Sequence, residues 1–274
     1  MRQIKIYIEK TQEGQRIKDL LKHIYSRREL TRLHSARSIL LNGEPAALTA
    51  MVQAGDLLET RMALPPILYE DEDLVILDKP SGLSCHMEKE HQEDNLGTML
   101  KERYGPSFII RTIGRLDREV SGIMIYARNA ETARKMETRH LVQKHYLAIA
   151  SGVFPKQEDT LFYTMEKKKG IRGNSVSETG KPCITHYQVL HQYPSYALLR
   201  IEIRTGRTHQ IRSGLAAAGH PLLGDKLYGG DQSLLKRPAL HCAEAEFRHP
   251  RTDVSIHIRS QLPEDLQNIL LRQK

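Results

Sequence analysis

The run ITHYQVLHQYPSYALLRIEIRTG, Ile184 to Gly206, holds two strand-like segments, "ITHYQVL" and "YALLRIEIRTG", separated only by "HQYPS". No helix lies between them. Strands that follow one another directly argue against a doubly wound parallel sheet. Outward from this pair, strand-like runs recur at "DLVILDK", "GIMIYAR", "KHYLAIASG", "ALHCAEAEF" and "VSIHIRS". Helix-like spacing is confined to "NAETARKMETRHL", "HQIRSGLAAAGH" and "PEDLQNILLRQK". The expected fold is therefore α+β, with a mixed, mainly antiparallel β-sheet and flanking helices.

Upstream the pattern changes. "IKIYIEK" alternates like a strand, "GQRIKDLLKHIY" has apolar residues at helical spacing, and "SARSILLNGEPA" runs from a basic helix into an Asn-Gly turn. "VQAGDLLETRM" reads as a closing strand. "ALPPILYEDEDL", two prolines followed by acidic residues, reads as a linker. These signs predict a small α/β module over residues 1–63 and a larger domain over residues 64–274.

The chain carries 41 basic and 33 acidic residues in 274, a formal charge of +8. That balance suits an anionic partner, nucleic acid foremost, although a solvated basic surface has the same composition. Apolar runs such as "LVIL" are far too short to span a membrane, and the alternating first segment is unlike a signal peptide, so a cytoplasmic location is expected. Three cysteines, Cys85, Cys183 and Cys242, form no C-x-x-C pair and point to buried thiols. His209, His220 and His241 lack metal-ligand spacing. There is no phosphate loop and no dinucleotide fingerprint. Cofactor-free chemistry, or no chemistry, is expected.

In "IGRLDREVSGIMIYARN", Ile113 to Asn129, Asp117 stands between Arg115 and Arg118. A carboxylate among guanidinium groups either orients an arginine or acts on a substrate as nucleophile or base. Three other stretches bear on that choice. "DLVILDKPSGLSCH" ends a strand at Lys79-Pro80. "QKHYLAIASG" sets Lys144 and Tyr146 on one strand face. "IRTGRTHQIRSGLAAAGHPLLGDKLYG" leaves a strand through glycine and opens a helix at Thr208, His209 and Gln210, with Arg212 in its first turns.

Together, in this order, these motifs resemble the RluA-type pseudouridine synthases, which convert uridine in ribosomal or transfer RNA to its carbon-linked isomer. The resemblance runs from about Leu68 to the C-terminus. It implies a catalytic domain with a central RNA-binding cleft, no cofactor, and RNA as the partner, with ribosomal RNA favoured over transfer RNA by analogy from the N-terminal unit; a monomer is the default expectation. The N-terminal unit is similar to the RNA-binding module named for ribosomal protein S-four; its Arg27, Arg28, Arg32 and Arg37 either track phosphates or form a solvated helix face.

Carried over by motif, the resemblance makes Asp117 the catalytic acid, Tyr146 the ring against the flipped uracil, and Arg212 the partner of the aspartate. Arg115 enters the stack that the base has left, and Leu116 packs. Arg118, Lys144, Arg207, Lys79, Lys168 and Arg37 complete the expected RNA contacts. Physical need agrees, because a stacked uridine must be flipped out before its glycosidic bond can be reached, and a planar cation can fill the gap. The Asp117 carboxylate could add to the ribose C1′, attack C6 of uracil, or remove the 2′ proton. Two departures stand out: the family usually has a histidine where this chain has Gly114, and often one where it has Gly214. The competing expectation is an RNA-binding or ribosome-assembly factor that kept the fold. A hydrolase is disfavoured by the lack of an oxyanion or phosphate loop.

Overall fold

The computed structural model describes residues 4–35, 38–60, 64–86, 95–138, 142–167 and 174–272. The chain forms two compact units, Met1–Leu64 with His86–Phe108, and Pro65–Cys85 with Ile109–Lys274.

The first unit contains β1 (Ile4–Tyr7), α1 (Ile17–Leu21), α2 (Arg27–Ser35), β2 (Ile39–Leu41), β3 (Glu44–Pro45), β4 (Leu57–Thr60) and α3 (Leu96–Tyr104). Its sheet has the order β1-β4-β2-β3 and is antiparallel in every pairing described. Asn42 and Gly43 both adopt positive φ, 54° and 88°, which is the backbone a tight hairpin turn between β2 and β3 requires. Ile17 and Leu21 of α1 and Leu33 of α2 close over Ile39, Val52 and Leu58 to form the core. The helix expected over "GQRIKDLLKHIY" is shorter than its apolar spacing implied, because turns follow Leu21. Helix α3 was not expected; Asn95 caps it by accepting from the Thr98 amide at 2.9 Å. Arg27 is exposed, whereas Arg37 lies outside the described residues.

The second unit is built on one large sheet. Its elements are β5 (Ile67–Glu70), β6 (Leu74–Lys79), β7 (Arg111–Ile113), β8 (Ser121–Ala127), α4 (Ala130–Thr138), β9 (Gln143–Ser151), β10 (Glu158–Glu166), β11 (Ser175–Ser177), β12 (Lys181–Gln192), β13 (Tyr196–Ile203), α5 (Gln210–Ala217), β14 (Leu240–Arg248), β15 (Ser255–Arg259) and α6 (Glu264–Leu271). The order is β11-β10-β12-β13-β9-β14-β8-β6-β5, with β15 beside β14 and β7 beside β8. Among the described pairings only β14 with β8 is parallel, so the sheet is mixed and mainly antiparallel, as expected. The stretch read as a linker is strand from Ile67, where β5 pairs with β6.

Strand β8 is buried along its whole length, which fits its continuous apolar run. Gly122 at its start has φ 110°, and any Cβ there would strike the Cys242 backbone. That glycine lets β14 come alongside β8, the strand that follows the Asp117 loop. Helix α6 packs Leu266 and Ile269 on Ile149, Tyr196 and Leu223. The Leu223 amide also donates to the Ile149 carbonyl at 2.9 Å, tying the segment after α5 to β9.

Candidate active site

Asp117 sits in the loop between β7 and β8. Gly114 opens this loop with φ 68°, a left-handed backbone that glycine adopts without strain. Leu116 is buried and anchors the loop, Asp117 is half-buried, and Arg115 is exposed. Residues 80–85 clamp the loop from the other side. The Cys85 thiol donates to the Leu116 carbonyl at 3.2 Å, and the Gly82 amide to the Arg118 carbonyl at 2.7 Å. Ser81 donates to the Glu119 carbonyl at 2.7 Å, and Arg118 Nε to the Gly82 carbonyl at 3.1 Å.

Lys79 corrects an expectation. Its side chain is fully buried and donates to the carbonyls of Pro80, Leu83 and Arg118 at 3.1, 2.8 and 3.0 Å. All three ammonium hydrogens have an acceptor inside the protein, so none is left for a phosphate. Burial pushes its pKa down to about 8. Lys79 fastens the two loops together and is not an RNA contact.

Helix α5 supplies the cation. Arg212 is 3% exposed. Its Nε and Nη2 donate to the two oxygens of Asp225 at 2.7 and 2.9 Å, and its Nη1 donates to Asp117 Oδ2 at 3.2 Å. Glu119 Oε2 lies 3.8 Å from the same Nη1. Burial works against the guanidinium charge, but the Asp225 and Asp117 carboxylates overcome it and hold the group above its usual range. Asp225 is itself fully buried. The arginine is therefore gripped from behind by one carboxylate and presents its remaining edge to the other.

His209 precedes α5 with φ 59°. A left-handed conformation is strained for a residue with a β-carbon, and here it carries the imidazole into the site. His209 Nε2 lies 3.7 Å from Asp117 Oδ2, and its Nδ1 lies 3.0 Å from the Tyr228 hydroxyl. Tyr228 donates to the Asn174 carbonyl at 2.8 Å and sets its ring 5.4 Å from the Arg212 guanidinium carbon.

Tyr146 of β9 is 5% exposed and stands opposite Ile201 and Cys242 in the sheet. Burial foremost, then the neighbouring Cys242 and the Asp117 charge, push its phenol well above the usual value. Two residues earlier, Lys144 reaches the Ile113 carbonyl at 3.5 Å. Its ammonium lies 3.6 Å from where a Gly114 β-carbon would be.

The structure thus brings Asp117, Arg212, His209, Asp225 and Tyr228 into one hydrogen-bonded and ionic cluster, with Tyr146 within electrostatic reach. Arg115 and Arg207 are exposed, while Arg118 is half-buried with its Nε engaged. Lys168 and Arg37 lie outside the described residues. The sequence places His209 at the opening of a helix and holds Asp225 and Tyr228 within the "GDKLYG" that ends the same motif, with a catalytic role for none of the three. The signal was present in the spacing of "THQIR" to "GDKLYG", but only the turn folding back onto α5 gives it meaning. At Gly214 a β-carbon would fall well inside contact distance of the Tyr163 phenol. Tyr163 instead hydrogen-bonds the Gln210 carbonyl at 2.9 Å and Thr185 at 2.8 Å.

Residues 73–217 match the family model described as RNA pseudouridylate synthase. An uncharacterized RNA pseudouridine synthase of Bacillus subtilis, YhcT, is 30% identical over 98% of this chain and 96% of its own length. Ribosomal large subunit pseudouridine synthase D of Pseudomonas aeruginosa is 33% identical over 85% of this chain and 77% of its own. Among solved structures, human RNA Pseudouridylate Synthase Domain Containing 4 superposes with a TM-score of 0.60 at 25% identity, covering 76% of this chain and 92% of that one.

Proposed function

The chain belongs to the RNA pseudouridylate synthase family and is an RNA pseudouridine synthase, and we propose that it isomerises a uridine of ribosomal RNA with Asp117 as the reacting acid. The observation that carries this reading is the Arg212 bridge. A buried arginine held by Asp225 directs its free N–H at Asp117 Oδ2, which fixes the carboxylate's orientation before substrate arrives.

In this reading the target uridine leaves its stack, and the exposed Arg115 side chain fills the gap. Unstacking costs a few kcal/mol, and a planar cation that stacks and also meets phosphate offsets part of it. Uracil lies along Tyr146, whose phenol stays protonated and offers both a π-face and a hydroxyl. The Asp117 carboxylate then adds to the ribose C1′, adds to C6, or takes the 2′ proton. The C1′–N1 bond breaks, the base turns, and C5 takes the place of N1. Arg207, Arg118 and Lys144 border the site as phosphate contacts, and Lys168 and Arg37 extend the basic track. All the groups named belong to one chain, and a monomer in the cytoplasm suffices.

Relatives named for the ribosomal large subunit support ribosomal RNA as the substrate. The test is incubation of the purified protein with unmodified large-subunit and transfer RNA transcripts, with pseudouridine located by mass spectrometry. New pseudouridine in the large-subunit transcript is expected. Modification of transfer RNA alone would overturn the choice of substrate.

A further inference from the structure

Isomerisation leaves a proton to be moved. When C5 has bonded to C1′ it still carries its hydrogen, and the N1 released from the sugar has none. Asp117 handles the ribose or the ring, so another group has to carry this proton. From the geometry beside Asp117, we infer that His209 Nε2 takes the C5 proton and returns it to N1, an inference that rests on Asp117 being the reacting acid.

The tautomer of His209 follows from its neighbours. The Tyr228 hydroxyl has one hydrogen, and it is donated to the Asn174 carbonyl at 2.8 Å. At 3.0 Å from His209 Nδ1, that same oxygen can only accept, so Nδ1 carries the imidazole proton. Nε2 is left with a bare lone pair, 3.7 Å from Asp117 Oδ2. Two lone pairs facing each other across that gap have no mutual hydrogen bond. The gap suits a group that brings a proton between them.

Position supports the same role. C5 ends bonded to the C1′ from which N1 departed, and on each of its three routes Asp117 acts at C1′, at the adjacent C2′ or at C6 beside C5, so the C5 hydrogen arrives close to its carboxylate. Burial, against the opposing pull of Asp117, keeps the imidazole below its ordinary pKa and therefore neutral at pH 7. Arg212 adds to that depression, whereas Glu119 and Asp225 oppose it. Tyr146 is the other candidate, but its phenol is held in the protonated form. The left-handed backbone at His209 is the structural cost of placing the ring there.

The step balances without a co-reactant. The C1′–N1 bond breaks with its electron pair left on the uracil ring. Ring π electrons form the C5–C1′ bond, and the C5–H pair then restores the C5–C6 double bond as Nε2 takes the proton. The resulting imidazolium protonates N1 and returns to its starting tautomer. Whatever Asp117 adds or removes on its own route it returns, and one uridine becomes one pseudouridine.

The test compares two substrates in His209→Asn, since asparagine tolerates a left-handed backbone. RNA carrying 5-fluorouridine has no C5 proton, so its C1′–C5 bond forms without the proposed step. On uridine RNA the variant should lose on the order of 10²-fold in single-turnover rate, with a C5-deuterium isotope effect that wild type lacks. On the fluorinated RNA, loss of the C1′–N1 linkage should stay within about twofold of wild type. Tyr228→Phe, which frees the imidazole to change tautomer, should show a smaller loss of the same selectivity. Equal loss on both substrates would make His209 a positioning group and overturn the inference, as would no loss on uridine. Asp117→Asn is run alongside: activity there would sink the site reading itself, a different failure.

Discussion

Arg212 directs three of its five N–H groups at two carboxylates, and the division between them decides what each does. Asp225 receives two bonds and is fully buried, so it holds the arginine; Asp117 receives one and keeps an open edge for substrate. Asp225→Asn should therefore damage the enzyme although Asp117, the proposed reacting acid, is intact. Removing one partner of a buried pair typically costs about 3–5 kcal/mol, so a lower melting temperature is expected. Isomerisation should fall at least about tenfold. Arg212→Lys should not rescue function, because a point charge cannot span both acids. Unchanged kinetics in Asp225→Asn would mean that Asp117 is oriented by something else. Lys79 gives a second residue-scale prediction. Its pKa falls from 10.5 unfolded to about 8 folded, so between those values the unfolded chain holds more protons. Stability from this group then rises with pH across that window. Urea melts of wild type should gain on Lys79→Met from pH 8 to 10.5, and a gap that narrows would refute the burial. At this scale the pairing of Arg212 with Asp117 was legible because a motif surrounds each. Lys79 was misread because a lysine before proline at a strand end looks exposed, and the three carbonyls that bury it come from both nearby and distant sequence.

Helix α5 and strand β10 show what changes at the scale of elements. The continuous or alternating apolar runs of β6, β8, β9 and β14 were plain in the sequence. Strand β10 was not, because its outward residue Phe162 is apolar and 75% exposed, which hides the alternation with Leu161, Tyr163 and Met165. Yet β10 brings Tyr163 against Gly214 and onto the first turn of α5. The phenol occupies the space that a side chain at 214 would need, which accounts for glycine where the family often has histidine. Gly214→His should overpack this contact, at a cost of about 1–3 kcal/mol, and displace the helix that carries Arg212. Adding Tyr163→Ala to Gly214→His should restore much of the lost activity. If the double variant is no better than the single one, the two side chains are not competing for the space. Helix α3 is faint in the sequence although Asn95 and Gly105-Pro106 mark its ends, because Gly97 interrupts a weak apolar pattern.

Over the whole molecule the net charge of +8 belongs with an RNA partner. Arg115, two residues before the acid, and Arg207, two before His209, are exposed, whereas Arg212 and Lys79 are buried and engaged by internal partners. Binding and catalysis should therefore separate. RNA affinity should fall linearly on a logarithmic scale with salt, and Arg207→Ala should reduce that slope by roughly one contact while leaving the single-turnover rate at saturating RNA nearly unchanged. The α+β class and the mainly antiparallel sheet were visible in the order of strands, since no helix intervenes between most neighbours. The parallel join of β8 to β14 was not, because it depends on Gly122 meeting a strand more than a hundred residues away. The most direct measurement sets wild type and Asp117→Asn side by side on large-subunit RNA transcript, with pseudouridine formation and RNA affinity read from the same samples. Loss of at least about 10³-fold in the rate, with affinity within a few-fold, is the predicted result. Pseudouridine formed by the variant at a comparable rate would contradict the assignment of Asp117.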